Sequence, residues 1–345
     1  MSELPHADAT VIGMSKSRVQ RQKSQRRLRM LISSAGRRVS LLRCFRTEAE
    51  SLGIDLTVLA TDLKPEWSAA CVEADQALAV PVAGSDAFIP YMLKVCEREQ
   101  IGLIIPTIDT ELLAFSHARE DFAAIGTAVA VSDASVVEMA RDKFATAAFL
   151  KSAGLPTPRT ETIEQMLVFD QEWNWPVLAK PRGGSSSRGI HRVADSDELA
   201  RFVADEPYII QEIMRGREFT VNLYFDRGGT LHAVVPHERL RVRAGEVEKG
   251  ATSRDPTMCS LGWQLGSKLE GAAGVLCFQA FLSDSGESSI FEINARFGGG
   301  YPLVHWAGAP FARWLLEEAL GLESSAGDHW RPDALMLRFD DAVFL

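Results

Sequence analysis

No stretch of about eighteen consecutive apolar residues occurs in this chain, and its start lacks a basic segment running into an apolar one with a small-residue cleavage site. Neither a membrane span nor a secretory leader is predicted, and the cytoplasm is the expected compartment. Cysteine is scarce: Cys44, Cys71, Cys96, Cys259 and Cys277 are scattered, with no CxxC pair and no close histidine. That excludes a disulfide framework and a thiolate zinc site and leaves reduced thiols. Basic residues are outnumbered, 37 against 46, and the net charge of -9 argues against a general nucleic-acid binder. Two nucleotide signatures are missing. The first strand-to-helix turn, Ser33-Ser34-Ala35-Gly36-Arg37, has a single glycine where a dinucleotide fingerprint needs three, and no G-x-x-x-x-G-K-[ST] occurs.

What is present is an ordinary globular composition, 46% hydrophobic and 24% charged over 345 residues, enough for two or three packed units. Residues 1–27 are polar and lack apolar periodicity, with Lys16, Arg18, Arg21, Lys23, Arg26 and Arg27 crowded together, and are expected to be a disordered basic tail. From Leu28, "LRMLISSAG", "DLTVLATDL", "ADQALAVP" and "IGLIIP" read as strands, each followed by a helical stretch. This alternation predicts a parallel α/β sheet over 28–125, with ligand sites at the carboxyl ends of its strands. The remainder reads as an α+β unit in two parts, 126–205 and 206–345, the second largely antiparallel.

Three segments carry chemistry. In "SIFEINARFGGG", Glu292, Asn294 and Arg296 alternate with Phe291, Ile293 and Ala295, so a strand would hold the polar residues on one face and the apolar ones on the other. A carboxylate, an amide and a guanidinium in that row suit a hard divalent cation beside a phosphate; an amphipathic strand of a half-open sheet alternates equally well. The preceding "VLCFQAFLSDSGES" completes a hairpin, and pairing Leu282 with Ser289 would set Gln279 opposite Glu292. "VLAKPRGGSSSRGI" ends an apolar strand on Lys180 and continues into a glycine and serine loop suited to phosphate, the alternative being a solvated hairpin turn. "YIIQEIMRGREF" offers Gln211, Glu212 and Glu218 where a strand leaves the core, a place for an adenine edge and a ribose or simply for exposed acids.

Taken in order, "MARDKFATAAFLKSAGLPTP", "LAKPRGGSSSRGI", "IIQEIMRGREFTV" and "VLCFQAFLSDSGESSIFEINARFGGG" resemble the ATP-grasp superfamily, in particular its carbamoyl-phosphate-synthase-like members, from about Met30 onward. The resemblance implies an N-terminal Rossmann-like, pre-ATP-grasp parallel sheet followed by a two-subdomain ATP-grasp unit. It implies that Lys143 and Lys180 contact ATP phosphates and that Gly184, Ser185, Ser186, Ser187 and Gly189 belong to a loop closing over them. It further implies that Gln211, Glu212 and Ile213 hold adenine, that Glu218 lies near the ribose, and that Gln279, Glu292 and Asn294 ligate Mg2+, with Mn2+ as the alternative ion. Arg296 matches an arginine beside the transferred phosphate. One departure is the run Ser185-Ser186-Ser187 where similar proteins alternate glycine and serine, a change that reduces backbone freedom.

The activity implied is that of a carboxylate–amine ligase working through an acyl phosphate, joining a small carboxylic acid, an amino acid being one option, to an amine. A phosphotransferase and a catalytically silent ATP-binding module are the alternatives. No glutaminase or second synthetase half is visible, which weighs against carbamoyl phosphate synthesis. Arg243 and Lys249 in "HERLRVRAGEVEKG" are the expected extra cations at the phosphate end, a solvated basic strand being nearly as good a reading, and His237 reads as a satisfied strand histidine. Substrate selection is expected between the first domain, at Arg37, Arg38, Asp109 and Glu111, and the glycine-rich "RFGGGYPLVHWAG". The expected partners are the small-molecule acid and amine, with no membrane or nucleic acid, and a homodimer is compatible with this class.

Overall fold

A computed structural model of the protein describes residues 26–168, 173–183, 189–204 and 206–344. The expected tail, up to residue 25, and loop residues Gly184, Ser185, Ser186 and Ser187 lie outside the described residues. The first sheet is parallel, in the order β3-β2-β1-β4-β5, from strands β1 (Arg26–Ser33), β2 (Ile54–Asp62), β3 (Gln76–Ala79), β4 (Leu103–Pro106) and β5 (Ala128–Val129). Arg26 and Arg27, read from sequence as the end of the tail, already pair with Ile54 and Asp55. The central strands are covered on both faces, as a parallel sheet requires: Leu31 and Ile104 enter one core, Met30, Ile32 and Leu103 the other.

The order of strands reverses between β1 and β4, which opens a crevice at their carboxyl ends. Glu111, at the start of the helix Asp109–His117, closes the base of this crevice. Its fully buried carboxylate accepts from the hydroxyls of Ser33 (2.6 Å) and Ser34 (2.7 Å) and from the backbone N–H groups of Thr107 (2.7 Å) and Ile108 (3.2 Å). Burial pushes its pKa up, and the four donors oppose that rise. Ser34 stands at φ 50, a left-handed conformation uncommon for a residue with a Cβ, and its bond to Glu111 holds it there. Glu111, expected to select substrate, is therefore a structural tie between two strand ends, because every one of its neighbours is a donor from the fold itself.

Two antiparallel sheets follow. The smaller has the order β6-β9-β7-β8, from β6 (Thr160–Thr162), β7 (Val177–Pro181), β8 (His191–Val193) and β9 (Tyr208–Glu212). It continues through β9, past the boundary expected at 205, because β9 pairs with both β6 and β7. The larger has the order β14-β13-β10-β11-β12-β15, from β10 (Arg217–Phe225), β11 (Leu231–Arg243), β12 (Glu246–Thr252), β13 (Gly274–Leu282), β14 (Ser288–Asn294) and β15 (Leu335–Leu337). One face is apolar: Phe219, Val221, Leu276, Phe278, Ile290 and Ile293 pack into the core with Met258, Leu261 and Leu265 of the helix Pro256–Gly266. The other face is polar toward the nucleotide-motif end. Among the described residues, no helix is long and apolar enough to cross a membrane.

Glu111→Ala removes the acceptor of four buried donors and is expected to lower the free energy of unfolding by about 3 kcal/mol. Urea denaturation checks this; a loss well under about 1 kcal/mol would mean that water replaces the carboxylate at no cost.

Candidate functional site

The polar face of the large sheet and the crevice of the parallel sheet together bound a cleft of about 460 Å3. It collects Lys143, Gln279, Glu292, Asn294 and Arg296, residues from three separate parts of the sequence. The pairing behind this is subtler than a regular hairpin. Near the turn, Phe281 rather than Leu282 pairs with Ser289, one residue off the expected register, and a bulge between Gln279 and Ala280 then restores Gln279 opposite Glu292. The residue absorbed by the bulge is Phe291. Expected in the core, it instead lies against Phe281 at 5.3 Å between ring centroids and under Lys180, whose Nζ is 5.2 Å from the ring, while Ile290 takes the core position.

Lys180 is 7% exposed and its Nζ donates to Gln211 Oε1 at 2.7 Å; Gln211 Nε2 in turn donates to Thr160 Oγ1 at 2.9 Å. Burial, opposed by Glu292 and reinforced by the neighbouring Lys143, lowers the Lys180 pKa to about 8. Lys143 is fixed beside it: Asp142 caps the helix Lys143–Ser152 and binds Arg182, whose carbonyl accepts from the Lys143 N–H at 3.0 Å. Glu218 forms an ion pair with Arg239 at 2.9 Å; burial pushes its pKa up and Arg239 opposes this. Gln211 and Glu212 face opposite ways, as strand neighbours must. The Glu212 carboxylate accepts from the Arg159 N–H at 2.8 Å and lines a separate groove behind the cleft, so its side chain does not join the site. Ile213 follows the strand end half-buried, and Gly189 is exposed just beyond the undescribed loop.

Arg296 sits deep in the cleft, donating to Asp109 Oδ2 (2.8 Å), Asn294 Oδ1 (2.9 Å) and the Phe297 carbonyl (3.2 Å). Burial alone would weaken its charge, and the Asp109 carboxylate more than offsets this. Gln279, Glu292 and Asn294 supply one carboxylate and two amide groups, hard oxygen donors of the kind Mg2+ takes when phosphates complete its shell. Among the described residues no cluster of three or more His, Cys, Asp or Glu could hold a metal by itself.

Two expected cations lie elsewhere. Arg243 is exposed and bonded to Asp340 at 2.9 and 2.6 Å, and Lys249 is exposed on β12 between Arg241 and Leu337. Register shifts between β11 and β12 on both sides of Arg241, the first an extra residue in β11, break the alternation that would have carried Arg243 inward. Arg239, two residues beyond His237, is the one in the cleft, and counting alternate positions from His237 would have found it. His237 is a buried strand histidine within 3.1 Å of Asn222 Nδ2, its pKa lowered to about 3 by burial. Glu246 and Arg338 at the cleft, and the Phe281–Phe291 pair, had no local signal.

Residues 30–130 match the family described as PylC-like, N-terminal domain, and residues 140–300 match the ATP-grasp domain family. A D-alanine–D-alanine ligase from Halorhodospira halophila is 29% identical over 152 residues, 42% of this chain and 48% of that protein, so the match spans about half the length of this curated relative. Among solved structures, the biotin carboxylase domain of Hydrogenobacter thermophilus 2-oxoglutarate carboxylase, in complex with MgADP, ADP and bicarbonate, superposes with a TM-score of 0.71 at 18% identity, over 89% of this chain and 73% of that one. The L-amino acid ligase from Bacillus licheniformis gives 0.67 at 19%, over 90% and 78%, and N5-carboxyaminoimidazole ribonucleotide synthetase from Thermotoga maritima gives 0.62 at 17%, over 87% and 78%. At these identities the structural likeness speaks for the fold. The chain thus carries a PylC-like N-terminal domain over residues 30–130 followed by an ATP-grasp domain over residues 140–300.

Proposed function

We propose that this chain is an ATP-dependent carboxylate–amine ligase that works through an acyl phosphate. The observation that carries the reading is the single cleft in which Gln279, Glu292 and Asn294 stand beside Lys143, Arg296 and, at its border, Lys180. Such a set holds a metal-bound polyphosphate, and the crevice beyond Arg296 leaves room for an acid. A carboxylate oxygen of that acid attacks the γ-phosphorus, forming an O–P bond as the bond to the ADP oxygen breaks. The amine then attacks the acyl carbon, phosphate leaves with the bonding pair, and the surplus proton passes to solvent.

Phosphoryl transfer needs alignment and charge neutralisation more than covalent help. In this reading Lys180 and Lys143 hold phosphate oxygens, Arg296 faces the group in transfer, and Glu218 with the Phe281–Phe291 pair bounds the nucleoside end. Bound Mg2+ would neutralise the phosphates from Gln279, Glu292 and Asn294, and Mn2+ suits the same oxygen donors. The reading includes a cytoplasmic location, small-molecule acid and amine substrates, and a homodimer as a compatible assembly.

ADP release is measured with MgATP across pooled carboxylic acids, each pool with and without amines. Turnover that needs both partners is expected; a stable phosphorylated product without amine would make the chain a phosphotransferase, and binding without turnover a silent module. Glu292→Gln is expected to weaken nucleotide affinity about tenfold or more in Mg2+ and to lose that deficit in EDTA. Lys180 binds phosphate as its ammonium, so nucleotide affinity is expected to be full below about pH 8 and to fall up to about tenfold per unit above it. Lys180→Arg, permanently charged, should flatten that profile; a wild-type affinity flat from about pH 7 to about pH 10 would remove Lys180 from the site.

A further inference from the structure

Three arginines at the cleft meet carboxylates. Arg296 meets Asp109 at 2.8 Å, Arg239 meets Glu218 at 2.9 Å, and Arg338 meets Glu246 at 2.7 Å. Arg38, which precedes the helix Val39–Leu52 at the mouth of the β1–β4 crevice, has no carboxylate at ion-pair distance among the described residues. Its hydrogen bond is a long one, 3.5 Å to the Thr107 carbonyl. It faces the same cleft as Arg296 and Glu246 and lies within the electrostatic reach of both. Two guanidiniums turned toward one cavity, one of them unpaired, make a receptor for a carboxylate.

Glu246 supplies the opposite pole. It is half-buried on β12, with Oε2 held by Arg338 and no hydrogen bond to Oε1 among the described residues, and it lines the cleft beside Gly299. A Cβ at Gly299 would overlap the carboxylate, so the glycine allows it to lie against the loop. Glu246 and Arg38 are not in ion-pair contact, yet both line the cleft and each lies within the electrostatic reach of the other.

We propose that Arg38 and Glu246 are the two poles of a clamp for a zwitterion, which makes the acid substrate of this cleft an amino acid held by its carboxylate at Arg38 and its ammonium at Glu246. The assignment of a substrate role rests on the ligase reading; the binding itself does not. Orientation follows from the same geometry. The carboxylate end lies toward Arg296 and the oxygen-donor set, so it is the amino acid's own carboxylate that becomes the acyl phosphate. A desamino acid leaves Glu246 unmatched, and a second carboxylate in place of the ammonium meets it as a like charge.

The test is calorimetric titration of the full chain, with Mg2+ and a non-hydrolysable ATP analogue present, against the standard amino acids one by one. The tightest binder is then compared with its desamino acid and its methyl ester. Each single-pole analogue is expected to bind about tenfold or more weakly than the amino acid. Glu246→Gln should reduce amino-acid affinity by a similar factor and leave the desamino acid unchanged, whereas Arg38→Met should weaken both. Equal binding of the desamino acid, or no binding of any amino acid, overturns the clamp, and since these comparisons use the wild type they hold even if a variant fails to fold. ADP release measured in parallel separates the two ideas. Amino acids that bind but support no turnover with any amine uphold the clamp and sink the ligase; turnover with desamino acids as good as with amino acids does the reverse.

Discussion

The contact between Arg296 and Asp109 is the hinge of the whole arrangement. A guanidinium this deep in a protein is tolerable only with a carboxylate at hand, and the carboxylate here comes from the other domain, 187 residues away in sequence. Asp109 begins the same helix whose Glu111 ties together the ends of β1 and β4. A continuous run of polar bonds therefore links Asn294 on the floor of the cleft to Ser33 and Ser34 at the mouth of the parallel sheet. Moving the helix would unpair a buried cation at one end and buried donors at the other, so the crevice and the floor are held in one geometry.

The same need for pairing explains the floor itself. One face of the large sheet is occupied by Phe219, Phe278 and Ile293, so residues at alternate positions must face the other way. Where the C-terminal helix Phe311–Ala319 covers that second face, it is apolar again, with Tyr224 packed on Trp314 at 4.9 Å. Where nothing apolar covers it, it carries Glu218, Gln279 and Glu292. The cations around them are arranged so that each carboxylate answers at least one: Glu218 with Arg239, Glu292 within reach of Lys180. Burial lowers the Lys180 pKa, and its hydrogen-bond partner is the neutral amide of Gln211 rather than a carboxylate.

How far the sequence could be read follows from the range of the forces involved. The alternation from Glu292 onward in "FEINAR" and the strand–helix rhythm after Leu28 are local, and both appear in the structure. The pairing of Gln279 with Glu292 was legible as well, although it is reached through a bulge that no local pattern announces; Phe291 was misplaced for that reason. Arg243 was misplaced on the same grounds, since register shifts between β11 and β12 on either side of Arg241 break the alternation that runs from Arg239. What was illegible depends on distant chain. Arg338 reaches Glu246 across 92 residues, and β9 completes a sheet begun by β6 about fifty residues earlier, a separation that sequence spacing does not constrain. Glu111 looked like a strand-end acid open to ligand because nothing in "TIDTELL" states that four donors converge on it.

This division has a consequence for how specificity is built. The groups suited to the nucleotide come from the two antiparallel sheets and from one helix terminus, whereas Arg38 and Asp109 come from the starts of helices that follow parallel strands, and Glu246 from a strand whose register is set by β11 and β15. Connections at strand ends can vary with little effect on a core, and Arg38 stands at such a place; Asp109 is held by its bond to Arg296. On the ligase reading proposed above, the phosphate chemistry stays with the antiparallel sheets while the acid is chosen by a few charges at the mouth of the first sheet. The Arg296–Asp109 pair would then do two things at once: present a cation to the phosphate side and hold the substrate side at a set distance from it, so that reaction and selection share one buried charge.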